Sequence, residues 1–220
     1  MGNRYVVGGE TIKVLDLFSG LGGFSEAFLQ AGDEVVRVEN NHLLSEVPNT
    51  SIECVRVVRD RLKKYKESGH AIRDIDLILA SPPCLEFSLA FNAPQAKAQR
   101  AQENYEPNME LVKIALEIIE IVKPRYWIIE NVKGSRKHFQ KLGLEVNQII
   151  GPYFLYGNFP YLSCLASDLP SKASKDKTSS HPLRSNHKAM IPIELSQSVL
   201  EAVKNQRSLW DYIQSQAIKT

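Results

Sequence analysis

A thiol that is to act as a nucleophile needs a fixed position and a partner that can give or take a proton. The stretch Ser81-Pro82-Pro83-Cys84-Leu85-Glu86-Phe87-Ser88 offers the fixed position. It follows the apolar run Asp76-Leu77-Ile78-Leu79-Ala80, and two successive prolines remove ladder donors just where a buried strand must end. An arbitrary buried cysteine is inert core, but Cys84 heads a rigid loop instead. A second apolar run, Tyr126-Trp127-Ile128-Ile129, ends in Glu130-Asn131-Val132. In one crevice with Cys84, Glu130 would be a proton donor beside a nucleophile; by itself it serves equally as a helix cap or a solvated acid.

A third run, Ile12 to Leu17, leads into Asp16-Leu17-Phe18-Ser19-Gly20-Leu21-Gly22-Gly23. Glycines let backbone amides approach a ligand, and a helix N-terminus behind them favours negative charge. Such a turn alone is as consistent with a tight connection as with a cofactor site. Glu39, at the end of the next apolar run, sharpens it, because a carboxylate there can accept hydrogen bonds from both hydroxyls of a ribose. Together they favour an adenosine-containing cofactor.

These residues need elements to hold them. Strands are expected at Ile12 to Leu17, Glu34 to Glu39, Asp76 to Ala80 and Tyr126 to Ile129, with helices over Phe24 to Ala31, Arg59 to Glu67 and Met109 to Val122. The stretch Asn40 to Val58 carries no clear pattern, and Phe91 to Asn108 is a polar loop that either closes over a substrate or is simply mobile surface. Leu144 to Tyr156 reads as two strands about a Gly-Pro turn at an antiparallel end of the sheet, and Ile191 to Val203 as a helix. Trp210 and Tyr212 are expected as packing aromatics. Continuous apolar strands alternating with helices imply a mostly parallel sheet covered on both faces, a doubly wound Rossmann-like α/β fold. Ligands in such folds bind beyond the carboxyl ends of the strands, where all the residues above fall.

With 220 residues, 43% hydrophobic and 24% charged, the chain is sized for one domain. A net charge of +2 permits contact with a polyanion without arguing for it. Cys54, Cys84 and Cys164 are too scattered for a disulfide framework or a structural zinc site, and the five histidines suggest no metal centre. Reduced thiols point to a reducing, cytoplasm-like compartment. The first ten residues lack a signal-peptide core, Val6 breaks a myristoylation pattern, and no run reaches the roughly 18 apolar residues of a membrane span.

The motifs Asp16-Leu17-Phe18-Ser19-Gly20-Leu21-Gly22-Gly23-Phe24-Ser25-Glu26-Ala27-Phe28, Pro82-Pro83-Cys84 and Glu130-Asn131-Val132, in this order and at strand ends, resemble those of the cytosine-C5 DNA methyltransferases. The resemblance covers roughly residues 12 to 132. It implies S-adenosyl-L-methionine as methyl donor, with Phe18 against the adenine, Gly20 and Gly22 near the amino-acid part and Glu39 on the ribose. Asp16, Ser19, Gly23, Asn40 and Pro82 would complete the cofactor site. It also implies Cys84 as nucleophile, Glu130 on the pyrimidine edge, and Pro83 and Asn131 beside them, with nucleic acid as substrate, DNA ahead of RNA.

Beyond residue 132 the likeness weakens. Gln148 matches a family glutamine, but Ile150 and Pro152 stand where the resemblance calls for base-holding arginines. One methyltransferase domain is expected over 1–220, with an α/β core at 12–157, a short polar loop region at 158–190 in place of a recognition domain, and helices at 191–220. Within that loop region, Lys172, Lys175, Lys177, Arg184 and Lys188 outnumber Asp168 and Asp176, which reads first as a solvated loop and second as a phosphate-contacting arm. The C-terminal helix lacks the family's Gly-Asn-Ser signature, so packing alone is expected of it. Two alternatives stay open: the same reaction on transfer RNA, and a non-catalytic or partner-dependent cofactor-binding subunit whose target recognition comes from another protein.

Overall fold

In the computed structural model, which describes residues 11–72, 75–90, 92–170 and 180–217 and side chains as far as 206, the apolar runs lie side by side. Strands β1 (Lys13–Leu17), β2 (Glu34–Glu39), β3 (Thr50–Ile52), β4 (Leu77–Ala80) and β5 (Tyr126–Asn131) run parallel. A hairpin of β6 (Val146–Ile150) and β7 (Tyr153–Asn158) closes the sheet in antiparallel sense, with Gly151 and Pro152 at its turn. The seven-stranded order is β3-β2-β1-β4-β5-β7-β6. The chain therefore reverses its direction of winding between β1 and β4. All four residues of β4 are buried, as a strand covered on both faces requires.

The helices are α1 (Glu26–Gln30), α2 (Val55–Glu67), α3 (Pro94–Ala101), α4 (Glu110–Val122), α5 (Arg136–Gln140), α6 (Arg184–Ala189) and α7 (Ile193–Ala217). On one face α2 packs with α4, and Ile114, Ala115 and Ile118 meet Leu17, Ile78, Ala80 and Ile129 of the strands. On the other face α1 packs with α7, and Phe28, Leu195 and Val199 meet Val14, Leu79 and Ile128. The strict alternation of Val14, Leu15, Asp16 and Leu17 between these faces sends Asp16 toward α1 and α7. Among the described residues no helix is long and apolar enough to cross a membrane.

The structure corrects several expectations. The stretch from Asn40 to Val58 contains β3, and α2 begins at Val55, capped by Cys54 in extended backbone. Val55, Val57 and Val58 are poor helix formers by propensity, so that start was hidden. The expected loop from Phe91 to Asn108 carries α3, opened by Pro94, a residue suited to a first helical turn. Its buried side is only Gln95, Ala96 and Ala98, too small and polar to show as an apolar stripe. The polar region 158–190 holds α6, and α7 runs well beyond Val203. Strand β5 continues through Asn131, so Glu130 lies within the ladder, paired with Leu155 of β7. Residues 1–10, Phe91, Lys172, Lys175, Asp176 and Lys177, and the side chains of Trp210 and Tyr212, lie outside the described residues.

Leu155 is fully buried between β5 and β6 and joins the core on the α1 and α7 face. Leu155→Ala is expected to cost about 2–5 kcal/mol of stability by leaving a cavity. Urea unfolding measures it, and a loss below about 1 kcal/mol would place the hairpin outside the cooperative core.

Candidate active site

Backbone pairing builds the site. Leu17 is in register with Val38 on one side and Ala80 on the other, and Ala80 with Ile129. The next residues along these four strands, Phe18, Glu39, Ser81 and Glu130, therefore emerge at one level on the carboxyl edge of the sheet. Above that edge lies a cavity of about 700 Å³. Of the residues singled out from sequence, Asp16, Phe18, Ser19, Gly20, Gly23, Glu39 and Asn40 line it from the β1 and β2 side. Pro82, Pro83 and Cys84 line it from the β4 side. Gly22, Glu130 and Asn131 do not line it.

The glycine-rich turn has an unusual backbone. Phe18 takes a left-handed φ of 59°, which a residue with a Cβ rarely adopts, and Gly22 follows at 78°. A Cβ at Gly22 would collide with the guanidinium of Arg37, so Gly22 serves the turn's underside and not the cavity. The Glu39 carboxylate is held by three backbone N–H groups: Gly20 donates to Oε2 at 2.9 Å, and Asn40 and Asn41 donate to Oε1 at 2.9 and 3.0 Å. These bonds fix the carboxylate where a hydroxylated ligand would meet it.

Three buried polar atoms on residues lining the cavity stand without a partner, Asp16 Oδ1, Ser19 Oγ and Ser81 Oγ. Leaving such atoms dry costs several kcal/mol at most and about 1–3 kcal/mol typically, so a polar ligand is the economical way to satisfy them. Burial pushes the Asp16 carboxyl up to about 7, against the opposing pull of Ser25 and Arg37.

On the β4 side, Ser81 N–H donates to Leu17 O at 3.2 Å and the Asn131 amide donates to Pro82 O at 3.0 Å. Asn131 is fully buried, so it positions the proline loop and does not face a ligand. Phe87 N–H closes the loop on Cys84 O at 3.0 Å, and a Cβ at Gly134 would strike Phe87 O, so the chain after β5 packs tightly behind it. Glu86 is anchored by Tyr105 OH at 2.6 Å and Asn108 N–H at 3.1 Å. Cys84 itself is half-buried.

Covered by β7, Glu130 is pushed up to about 7 by burial; the Ser81 hydroxyl lies close enough to oppose this but closes no well-formed hydrogen bond. Burial, and then the Glu130 charge, push the Cys84 thiol up. The site therefore stores a thiol beside a carboxyl that is about half protonated near pH 7, and no cation stands among the groups that shift the thiol.

Several contributors carried no sequence signal. Glu53, Cys54 and Arg56 reach the cavity from the β3–α2 connection, and Ser185, Asn186 and Ile191 from α6 and its exit. Because α6 is exposed and short, only its docking over Gly20 and Gly23 reveals it. Gln148 is a structural residue: its amide donates to Leu162 O at 2.7 Å and accepts from Leu162 N–H at 3.0 Å. Ile150 is core and Pro152 an exposed turn residue, so neither position offers a polar group to a base.

A carboxyl whose folded pKa lies above its unfolded value near 3.9 destabilises the fold progressively as pH rises between the two, because the unfolded chain releases its proton first. For Asp16 that window runs from about 4 to about 7. Asp16→Asn is therefore expected to raise the melting temperature of the ligand-free protein at pH 8 and to change it little at pH 4, at about 2–4 °C per kcal/mol relieved. Thermal melts of both proteins check this; an equal change at both pH values would remove Asp16 ionisation as the cause.

Residues 12–151 match the family model of the C-5 cytosine-specific DNA methylases. Type II methyltransferase M.NgoFVII of Neisseria gonorrhoeae is 32% identical over 123 residues, covering 56% of this chain and 30% of that protein. M.DdeI of Desulfomicrobium norvegicum is 26% identical over 157 residues, covering 70% and 35% respectively. The chain thus spans about a third of the length of those two relatives. M.HgiGI of Herpetosiphon aurantiacus is 28% identical over 135 residues, covering 57% of this chain and 94% of that protein. Since the family match takes in every strand from β1 to β6 together with the glycine-rich turn, the proline-led cysteine and Glu130, the chain belongs to the C-5 cytosine-specific DNA methylase family.

Proposed function

We propose that the protein transfers a methyl group from S-adenosylmethionine to carbon 5 of cytosine in DNA, through a transient bond between Cys84 and carbon 6. The observation that carries this reading is one cavity bounded by the glycine-rich turn and Glu39 on one side and by Cys84 on the other, with a half-buried Glu130, raised to about 7, behind Ser81. The residues present fit the cofactor. Glu39 suits a ribose, and the unpartnered Asp16 Oδ1 and Ser19 Oγ suit the ammonium and carboxylate of an amino acid. When bound, the cofactor would supply an electrophilic sulfonium methyl.

Carbon 5 of cytosine is a weak nucleophile until carbon 6 is made tetrahedral. Addition of the Cys84 sulfur at carbon 6 releases the thiol proton to water in the cavity, while Glu130 gives its proton to ring nitrogen 3 and so neutralises the charge that develops there. The raised Glu130 supplies that proton near pH 7. After methylation, the carbon-5 proton passes to water and the electron pair it leaves expels the Cys84 thiolate, which regains a proton from water, while nitrogen 3 returns its proton to Glu130. The raised Cys84 means that the thiolate forms with the substrate and is not stored beforehand. In duplex DNA the base must leave the stack to reach this pocket, at a cost of a few kcal/mol.

The test supplies labelled S-adenosylmethionine with separate pools of duplex DNA, single-stranded DNA and transfer RNA, followed by nucleoside mass spectrometry. 5-Methylcytosine in DNA is expected, and its appearance only in transfer RNA would move the substrate. Cofactor binding without product in any pool would point to a partner chain that supplies target recognition or to a non-catalytic subunit. Cys84→Ala is expected to abolish product while calorimetry shows cofactor affinity within about twofold of the parent, since the thiol acts on the base. An equal loss of both would reject that division of roles. Glu39→Ala is expected to weaken cofactor binding by about 1–3 kcal/mol, the scale for hydrogen bonds to a charged group; unchanged affinity would take Glu39 out of the site.

A further inference from the structure

Arg37 is fully buried on β2, directly in register with Asp16 of β1. A guanidinium in that position would be expensive if it lacked partners, yet every arm has one. Nη2 donates to Gly22 O at 2.9 Å and to Glu26 Oε2 at 2.8 Å, and Nη1 donates to Pro48 O at 3.0 Å. Nε donates to Ser25 Oγ at 2.9 Å. Ser25, also fully buried, has a single hydroxyl proton, and it donates to Asp16 Oδ2 at 2.6 Å; its other acceptor, Gly22 O, is much farther at 3.4 Å. The Arg37 bond occupies a lone pair of the hydroxyl and so directs the proton toward Asp16. With Oδ2 bound, Oδ1 is the free oxygen, buried and without a partner, on a residue that lines the cavity.

We propose that Ser25 and Arg37 are positioning residues that hold Asp16 as an anionic anchor for the α-ammonium end of the bound cofactor. The inference rests on the cofactor reading above and goes beyond it, since neither residue touches the cavity. A relay that only braced the turn would not need the hydroxyl to point at Asp16. The charged groups facing the relay are few. Arg37 favours the Asp16 carboxylate and Glu39 opposes it from the end of β2, while Glu26 of α1 faces Arg37; the β4 residue opposite Asp16 is Leu79, which is uncharged.

The experiment titrates the parent chain, Ser25→Ala and Ser25→Thr with S-adenosylhomocysteine and with 5′-methylthioadenosine, which lacks the amino-acid end, by calorimetry between pH 6 and pH 8.5. The ionisation of each ligand is common to all three proteins. In the parent, S-adenosylhomocysteine affinity is expected to rise with pH through about 7, as Asp16 loses its proton. Ser25→Ala is expected to move that midpoint up by about one unit and to weaken binding about fivefold at pH 7, with methylthioadenosine affinity unchanged and the hydroxyl of Ser25→Thr restoring both. An unmoved midpoint, or an equal loss of both ligands, would overturn the relay and leave the two residues as bracing for the turn. Binding of neither ligand by the parent would instead overturn the cofactor reading, and the relay with it.

Discussion

The register of the parallel strands is the constraint on which the rest depends. Leu17, Val38, Ala80 and Ile129 are locked level by backbone hydrogen bonds, so the four residues that follow them emerge together. A slip of one residue in β4 would turn Ser81 and the proline loop to the other face, because side chains alternate along a strand. The apolar sets of the two faces forbid that slip, since it would exchange Ile78 and Ala80 with Leu77 and Leu79 against different helices. Chemistry at the edge is thus held in place by packing far below it.

Burial then decides the charge states. Asp16 is fully buried and Glu130 and Cys84 are partly so, and burial pushes all three toward their neutral forms. The consequences differ because the neighbours differ. Asp16 has a serine and a buried guanidinium drawing it back toward the carboxylate, whereas Glu130 has little beyond the nearby Ser81 hydroxyl and a hydrophobic strand pairing across from it. Both nonetheless reach about 7, each value being the balance of burial against those neighbours. The same low dielectric that raises them makes any charge complementary to them count for more.

The glycine-rich turn shows how tightly these two parts are joined. It lies between the cavity on one side and Arg37 on the other, and its left-handed residues let the Gly20 amide face Glu39 while its carbonyl at Gly22 faces the guanidinium. Helix α1 is only five residues long, yet Ser196 of α7 accepts from Ala27 N–H and donates to Phe24 O, fastening it from outside. The C-terminal helix thus supports the side of the cavity that carries the glycine-rich turn through the backbone, and α6 brings Asn186 over the turn.

Much of this was legible in the amino-acid order, for a local reason. Runs such as Leu77 to Ala80 announce buried strands, Pro82-Pro83 announces where one stops, and glycines beside Glu39 announce a ligand turn, because each signal is set by neighbours in sequence. The parallel α/β arrangement, and the candidacy of Cys84, Glu130 and Glu39, follow from that. Tertiary structure alone decided that Gly22 faces Arg37 and not the cavity, that Asn131 holds Pro82, that α3 forms on a few small residues and that α6 closes over the turn. It also decided that the Cys84 thiol is raised, since burial and the distance to another charge depend on strands that are far apart in the chain. Arg37 makes the point most plainly: in sequence it reads as one charge in an apolar strand, and only the crossing of the glycine turn beneath Ser25 gives that charge its partners.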